Sequence, residues 1–261
     1  MLTLYEHPLS PYAQKCKIVL LEKGVAFEAK LPAGFGSGAP GDAEFARGNP
    51  RHEVPLLVDG DLRLFDSTII LEYLEDKWPT PAMLPPDPAA RARARIIEDV
   101  ADTYYEAINW GLMELYAFRR ASGALADGLR ARAAEQTAGL RRWLDEQLGA
   151  APWFGGDSFG WADASVLPHV ANSALSGLGP EAGTKLAAWL ARCVARPSVA
   201  AVGAAAREFM KQPPDLTALL ASGFRRQYRD HRLEWMLRSG GLPILLEGLE
   251  RGTIRFGNEF P

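Results

Sequence analysis

The chain has 261 residues, 48% hydrophobic and 23% charged, which is enough apolar material for one large domain or two modest ones with full cores. A formal charge of -3 and a pI near 5.9 exclude a global basic field of the kind that attracts nucleic acid or anionic lipid. Cys16 and Cys193 stand far apart, and His7, His52, His169 and His231 show no ligand spacing, which argues against a disulfide framework or a metal site. The N-terminus passes straight into a strand-like run, and no stretch approaches the ~18 apolar residues of a membrane helix. The expectation is a cytoplasmic protein with no membrane or nucleic-acid partner.

Leu2 and Leu4 mark a short strand that stops at His7-Pro8. A helix is expected from Pro11 to about Lys23, with Ser10 as its N-cap, Pro11 at the first helical position and Gly24 as its stop. Val25, Phe27 and Ala29 alternate as a second strand over 25–30. Pro32 to Gly41 is a loop, and a short helix follows around 42–47. Val54 to Val58 reads as a strand opened by Pro55, Asp59-Gly60 as a turn and Leu62-Arg63-Leu64 as the hairpin partner. Asp66-Ser67 then caps a helix carrying Ile69, Ile70, Tyr73, Leu74 and Trp78. A strand, helix, strand order makes the first two strands parallel, and the hairpin makes the last two antiparallel. Pro79, Pro81, Pro85, Pro86 and Pro88 punctuate a linker over 79–88. Beyond it strand signals vanish, and 89–121, 126–148, 161–176, 181–194 and 198–210 read as helices. The expected architecture is an α/β thioredoxin-like domain (1–78), an all-α domain (89–212) and a C-terminal helical extension (213–261).

Three places in the first domain carry chemistry. Ser10 is at least a helix cap. It also lies beside free backbone N–H groups and the positive end of the helix dipole, where an anion such as a thiolate is stabilised. Val54-Pro55 is either an ordinary strand-opening proline or a cis bond that exposes the Val54 backbone to an extended peptide. Asp66-Ser67 is a cap that also offers a carboxylate, a hydroxyl and unpaired N–H groups to a ligand.

The run His7-Pro8-Leu9-Ser10-Pro11-Tyr12, the stretch Asn49-Pro50…Val54-Pro55-Leu56-Leu57 and the run Asp66-Ser67-Thr68-Ile69-Ile70-Leu71-Glu72-Tyr73-Leu74 resemble the soluble glutathione transferases, most closely their serine-type classes. The resemblance covers about 1–212 and is strongest over 1–78. It implies that Ser10 activates the thiol of glutathione, that Val54 and Pro55 bind its cysteinyl backbone, and that Asp66 and Ser67 hold the γ-glutamyl end. Tyr12, His52 and Glu53 join that glutathione site by position. Tyr12, Tyr105, Ile108, Trp110 and Met113 are the expected pocket for a hydrophobic electrophilic second substrate. The implied function is addition of glutathione, as co-substrate and without a metal, to that electrophile by a homodimer. A non-enzymatic binding or regulatory protein on the same fold is the alternative.

Three departures from the family pattern stand out. Glu53 occupies a position that is often basic. It either repels the glycyl carboxylate or faces solvent while Arg51 or His52 supplies the positive partner. Asp66 replaces the more frequent Glu. Gly160 stands where Ser or Thr usually opens the Phe159-Gly160-Trp161-Ala162-Asp163 capping segment. Tyr5 and Cys16 are expected in the core. In the tail, Arg225, Arg226, Arg229, His231 and Arg232 interleave with Phe224, Tyr228 and Trp235 as a solvated helix face anchored by aromatics, ended by Gly240-Gly241. Pro243 starts a further helix and Gly252 closes it.

Overall fold

The structure is a computed structural model that describes residues 1–34, 42–221, 224, 227–256 and 260. Strand β1 (Leu2–Tyr5) pairs parallel with β2 (Glu28–Lys30) and antiparallel with β3 (Leu56–Asp59), which pairs antiparallel with β4 (Leu62–Phe65). The sheet order is therefore β2-β1-β3-β4. Alternation divides the two faces: Leu2, Leu4 and Leu57 enter the main core, while Tyr5, Leu56 and Val58 form a smaller cluster with Phe45. Gly60, at φ 60, makes the tight turn between β3 and β4.

Helix α1 (Pro11–Glu22) connects β1 to β2, α2 (Ala43–Gly48) precedes β3, and α3 (Ser67–Lys77) follows β4. The second strand is shorter than its alternation predicts. Gly24 adopts φ 63 and the Val25 amide donates back to the Leu20 carbonyl at 3.0 Å, so the helix end consumes the first residues of the expected strand. Most of the Pro32–Gly41 loop lies outside the described residues.

The proline-rich connection is tied down at several points. The Lys23 ammonium meets the Glu75 carboxylate at 2.7 Å and donates to the Trp78 and Pro81 carbonyls at 2.7 and 2.9 Å. Glu75 also accepts from the Met83 and Leu84 amides at 3.0 Å, and both residues are buried. Burial and hydrogen bonding thus make this segment part of the body.

The second domain is helical throughout: α4 (Pro88–Val100), α5 (Glu106–Tyr116), α6 (Gly123–Leu148), α7 (Trp161–Leu175), α8 (Lys185–Val194) and α9 (Pro197–Phe209). The helix expected over 89–121 is interrupted by a π turn at Ala101–Tyr105 and ends at Tyr116. Such a turn swings side chains out of α-helical register, and here Asp102 and Tyr105 both turn toward the interior. Helix α7 is buried from Trp161 through Val170 and packs against both α1 and α4, so it forms the axis on which the domains join. At the far end of α1, Arg196 grips Glu22 with two bonds, at 2.8 and 2.6 Å.

The start of α7 explains one departure in the sequence. A Cβ on Gly160 would lie 2.6 Å from the Met83 carbonyl oxygen, which already accepts the Trp161 amide at 2.7 Å. Only glycine permits that approach. The other half of the capping box remains: Asp163 accepts from the Gly160 amide at 2.9 Å, the Phe154 amide at 3.1 Å and the Trp189 indole at 2.7 Å. Asp163→Ala strands three donors at a buried site, so we expect a loss of about 3–5 kcal/mol, measured by urea unfolding.

The tail forms α10 (Leu216–Ala221), α11 (His231–Arg238) and α12 (Leu242–Glu250). Pro243 sits in the first turn of α12 and Gly252 follows its end, as the sequence indicates. The basic and aromatic run does not share one helix face, however. Asp230 caps α11 by accepting the Leu233 amide at 2.9 Å, so Phe224, Gln227, Tyr228 and Arg229 precede the helix on non-helical chain. Arg225 and Arg226 lie outside the described residues.

Candidate functional site

Ser10 ends the turn after β1, with its amide on the His7 carbonyl at 2.9 Å. Its side-chain oxygen accepts the Ala13 amide at 3.3 Å. An oxygen used as acceptor toward the helix keeps its O–H proton for a partner outside the helix. Pro11 has no N–H and Ala13 is capped, which leaves the Tyr12 amide as the open donor of the first turn. No acidic residue occupies that turn, so the helix end keeps its positive potential.

Tyr12 is committed differently. Its hydroxyl donates to the Asp102 carbonyl at 2.7 Å, across the domain junction. Burial, then the carboxylates of Glu106, Asp102 and Glu53, push its pKa up, against a smaller opposing pull from Arg229. Tyr12 therefore stays a neutral donor. Tyr5, on β1, is buried against Phe45 with its hydroxyl 3.3 Å from Glu44. Cys16 is fully buried, its thiol pushed up by desolvation and resting 3.6 Å from the Ser67 carbonyl.

Beneath α1 lies a charged cluster with no counterpart among the sequence motifs. Lys15 is fully buried and meets Glu98 of α4 and Asp102 of the π turn, each at 2.5 Å. Glu98 also accepts from the Thr68 hydroxyl at 2.9 Å and from the Trp161 indole. Asp102 faces His169 of α7 at 3.2 Å. Burial works against the Lys15 charge, yet Asp102 and Glu98 outweigh it and hold its pKa above the usual value. Burial likewise opposes the Asp102 charge, and Lys15 with His169 holds its carboxyl below the usual range. The one visible sign in the sequence is a lysine between Ala13 and Cys16 on the buried face of α1.

The loop before β3 is shaped by Asn49, which is buried, accepts the Arg51 amide at 3.0 Å and donates to the Glu53 carbonyl. The Val54-Pro55 bond that follows is cis. Asp66 caps α3, accepting from the Thr68 and Ile69 amides at 3.1 and 3.4 Å, and holds φ 79. A non-glycine residue there costs about 1–3 kcal/mol and marks a site whose surroundings impose the conformation. His52, at φ 54, is exposed.

Glu53 matches neither arrangement expected for it. Its carboxylate pairs with the Arg229 guanidinium and accepts from the Gln227 amide at 3.2 Å, both from the tail. Burial pushes the Glu53 carboxyl up, against the pull of Arg229 and Arg51. Arg51 itself lies 3.4 Å from Asp66 and over the Phe65 ring.

The expected second-substrate pocket is divided by helix geometry. Tyr105 is fully buried in the core. Ile108 lines a cavity of about 240 Å³ between α5 and α6, with Gly111, Leu115 and Leu129. Trp110, two residues on, points about 200° away around the helix, and Met113 shares its side. Trp110 packs edge-on against Tyr228 of the tail, ring centroids 4.3 Å apart.

A hydroxyl-capped α1 in a thioredoxin-like domain, joined through α7 to an all-α domain, is the architecture of the glutathione transferases. Residues 4–82 match the family profile described as glutathione S-transferase, N-terminal domain, and 118–192 match glutathione S-transferase, C-terminal domain. Glutathione S-transferase U28 of Arabidopsis thaliana is 31% identical over 206 residues, covering 74% of this chain and 84% of that protein. A stringent starvation protein A homolog of Haemophilus influenzae is 32% identical over 176 residues, covering 64% of this chain and 73% of that protein. The solved structure of rice GST1 in complex with glutathione superposes with a TM-score of 0.63 at 29% identity, covering 76% of this chain and 90% of that one. A glutathione S-transferase from Rhodospirillum rubrum F11 gives 0.66 at 27% identity, covering 77% and 91%. The chain belongs to the glutathione S-transferase family.

Proposed function

We propose that this protein binds glutathione, ionises its thiol at Ser10 and transfers the sulfur to an electrophilic small molecule. The observation that carries this reading is the Ser10 hydroxyl, bonded as acceptor to Ala13 so that its proton is available at the open end of α1. A free thiol with a pKa of about 8.5 is only a few per cent ionised at neutral pH. Donation from Ser10, with the Tyr12 amide and the helix end, favours the anion. A shift of about two units, about 2.7 kcal/mol, makes thiolate the major form. The thiol proton passes to solvent. The sulfur pair then forms the C–S bond, and the electrophile either releases its leaving group or takes up a proton.

Val54 would bind the cysteinyl backbone, while Asp66 takes the γ-glutamyl ammonium and Ser67, at the first turn of α3, its carboxylate. The side of α5 that carries Trp110 and Met113 is the place for the electrophile. We also read the exposed apolar side of α5 and α6 as a contact between two copies, supported by Leu125 and Leu129, which are 64% and 47% exposed. The alternative is a non-enzymatic binding or regulatory protein on the same fold.

The test is calorimetric binding of glutathione together with conjugation to a chlorinated aromatic electrophile. Binding with a thiolate absorbance that persists below pH 7, and turnover, is the expected result. Absence of both binding and turnover overturns the proposal in favour of the regulatory reading.

A further inference from the structure

The tail beyond the last helix shared with the body does not hang free. Phe224 lies parallel to Phe118, with ring centroids 6.1 Å apart and an interplanar angle of 4°. Tyr228 meets Trp110 edge-on. Gln227 and Arg229 both reach Glu53 of the first domain, and Asp230 then caps α11. Phe224, Gln227, Tyr228 and Arg229 thus form a strap between α5 with the residues just after it and the loop that precedes Val54-Pro55.

We propose that Arg229 is a glutathione-binding residue, supplied by the strap to the glycyl carboxylate and held in place by Glu53. This rests on the transferase reading above. A γ-glutamyl-cysteinyl-glycine chain with its first residue at Asp66-Ser67 and its second at Val54 carries its third toward the residue before Val54, which is Glu53. A lone carboxylate there would repel the glycyl end. A guanidinium presents five N–H donors in a planar fork, so it satisfies Glu53 with one edge and a second carboxylate with another. Arg229 keeps 29% of its side chain exposed while paired, so that second edge is accessible. The apparent defect at Glu53 becomes a seat for a cation that comes from the tail. Arg51, the nearest alternative, is turned toward Asp66 at 3.4 Å.

The test compares glutathione with γ-glutamylcysteine, which lacks the glycyl carboxylate, by calorimetric titration of the full chain. Arg229→Gln is expected to weaken glutathione about ten-fold, the loss of one charge-assisted contact, and to leave γ-glutamylcysteine unchanged. Glu53→Gln, which frees Arg229 from its seat, should weaken glutathione in the wild-type background and tighten it once Arg229 is already Gln, because the lone carboxylate no longer repels the glycyl end. Equal losses for both ligands would reduce the strap to a cover. No loss for either would place the glycyl end elsewhere. Failure of the unsubstituted protein to bind either ligand would overturn the transferase reading along with this one.

Discussion

Ser10→Ala is expected to lower conjugation turnover ten-fold or more and to raise the pKa of bound glutathione toward its solution value. The reason lies in what the hydroxyl provides. Its lone pair serves the Ala13 amide at 3.3 Å, and alanine removes both that cap and the outward O–H. The cap is worth about 1 kcal/mol of stability, far less than the fold as a whole, so the variant remains folded. The thiolate loses a donor that acts on the anion and not on the thiol, which is the condition for a shift in pKa. Titration of the ultraviolet thiolate absorbance on the bound ligand, in parallel with turnover, reads both effects. Tyr12 cannot substitute, because burial and then the surrounding carboxylates raise its pKa, and its hydroxyl is bound to the Asp102 carbonyl. Unchanged absorbance and turnover would assign activation to the helix end alone.

Lys15→Met destabilises the protein by about 3–5 kcal/mol at neutral pH, the range for removing one partner of a buried ion pair. Glu98 and Asp102 then face each other in the interior without their shared cation, left with Thr68, Trp161 and His169 as partners. The pH dependence has a definite sign. The folded pKa of Asp102 is depressed, so its contribution is present above the unfolded value and disappears as pH falls through the folded one. That of Lys15 is raised, so its contribution is complete below the ordinary lysine range and is lost above it. The wild-type cluster therefore acts across the whole neutral range. In Lys15→Met the stranded carboxylates take up protons more readily, so the deficit should shrink as pH drops toward the ordinary carboxylate range. Urea unfolding at neutral and mildly acidic pH measures this. A deficit that is constant across pH would mean lost packing of the lysine stem and not uncompensated charge. The triple variant Lys15→Met, Glu98→Gln, Asp102→Asn should recover part of the loss, since it removes the charges together.

These two residues sit five positions apart on one helix, and they differ in how far the sequence alone reveals them. Ser10 is legible because capping is local: a hydroxyl, a proline and an apolar run within a few residues define a helix start wherever the chain later packs. The same holds for Asp66 at the head of α3, for Gly60 in the hairpin and for the parallel and antiparallel pairings that follow from connection length. Lys15 is not legible, because its meaning depends on Glu98 and Asp102, which lie more than eighty residues away and meet it only after α7 has drawn the domains together. The π turn that orients Asp102 is hidden as well, since nothing local distinguishes its residues from the helices on either side.

Local pattern thus determined the helix caps at Ser10 and Asp66, the hairpin, and the parallel and antiparallel pairings at the two ends of the sheet. Tertiary structure decided the partners. It split Ile108 from Trp110, because a helix offers opposite faces to residues two apart. It buried Tyr105 in the core and made Gly160 obligatory, since the Met83 carbonyl leaves no room for a Cβ. It brought Arg229 to Glu53 across most of the chain's length. Charge partners and close approaches depend on which elements pack together, and that is settled by burial of apolar surface over the whole molecule, not by any short stretch of residues.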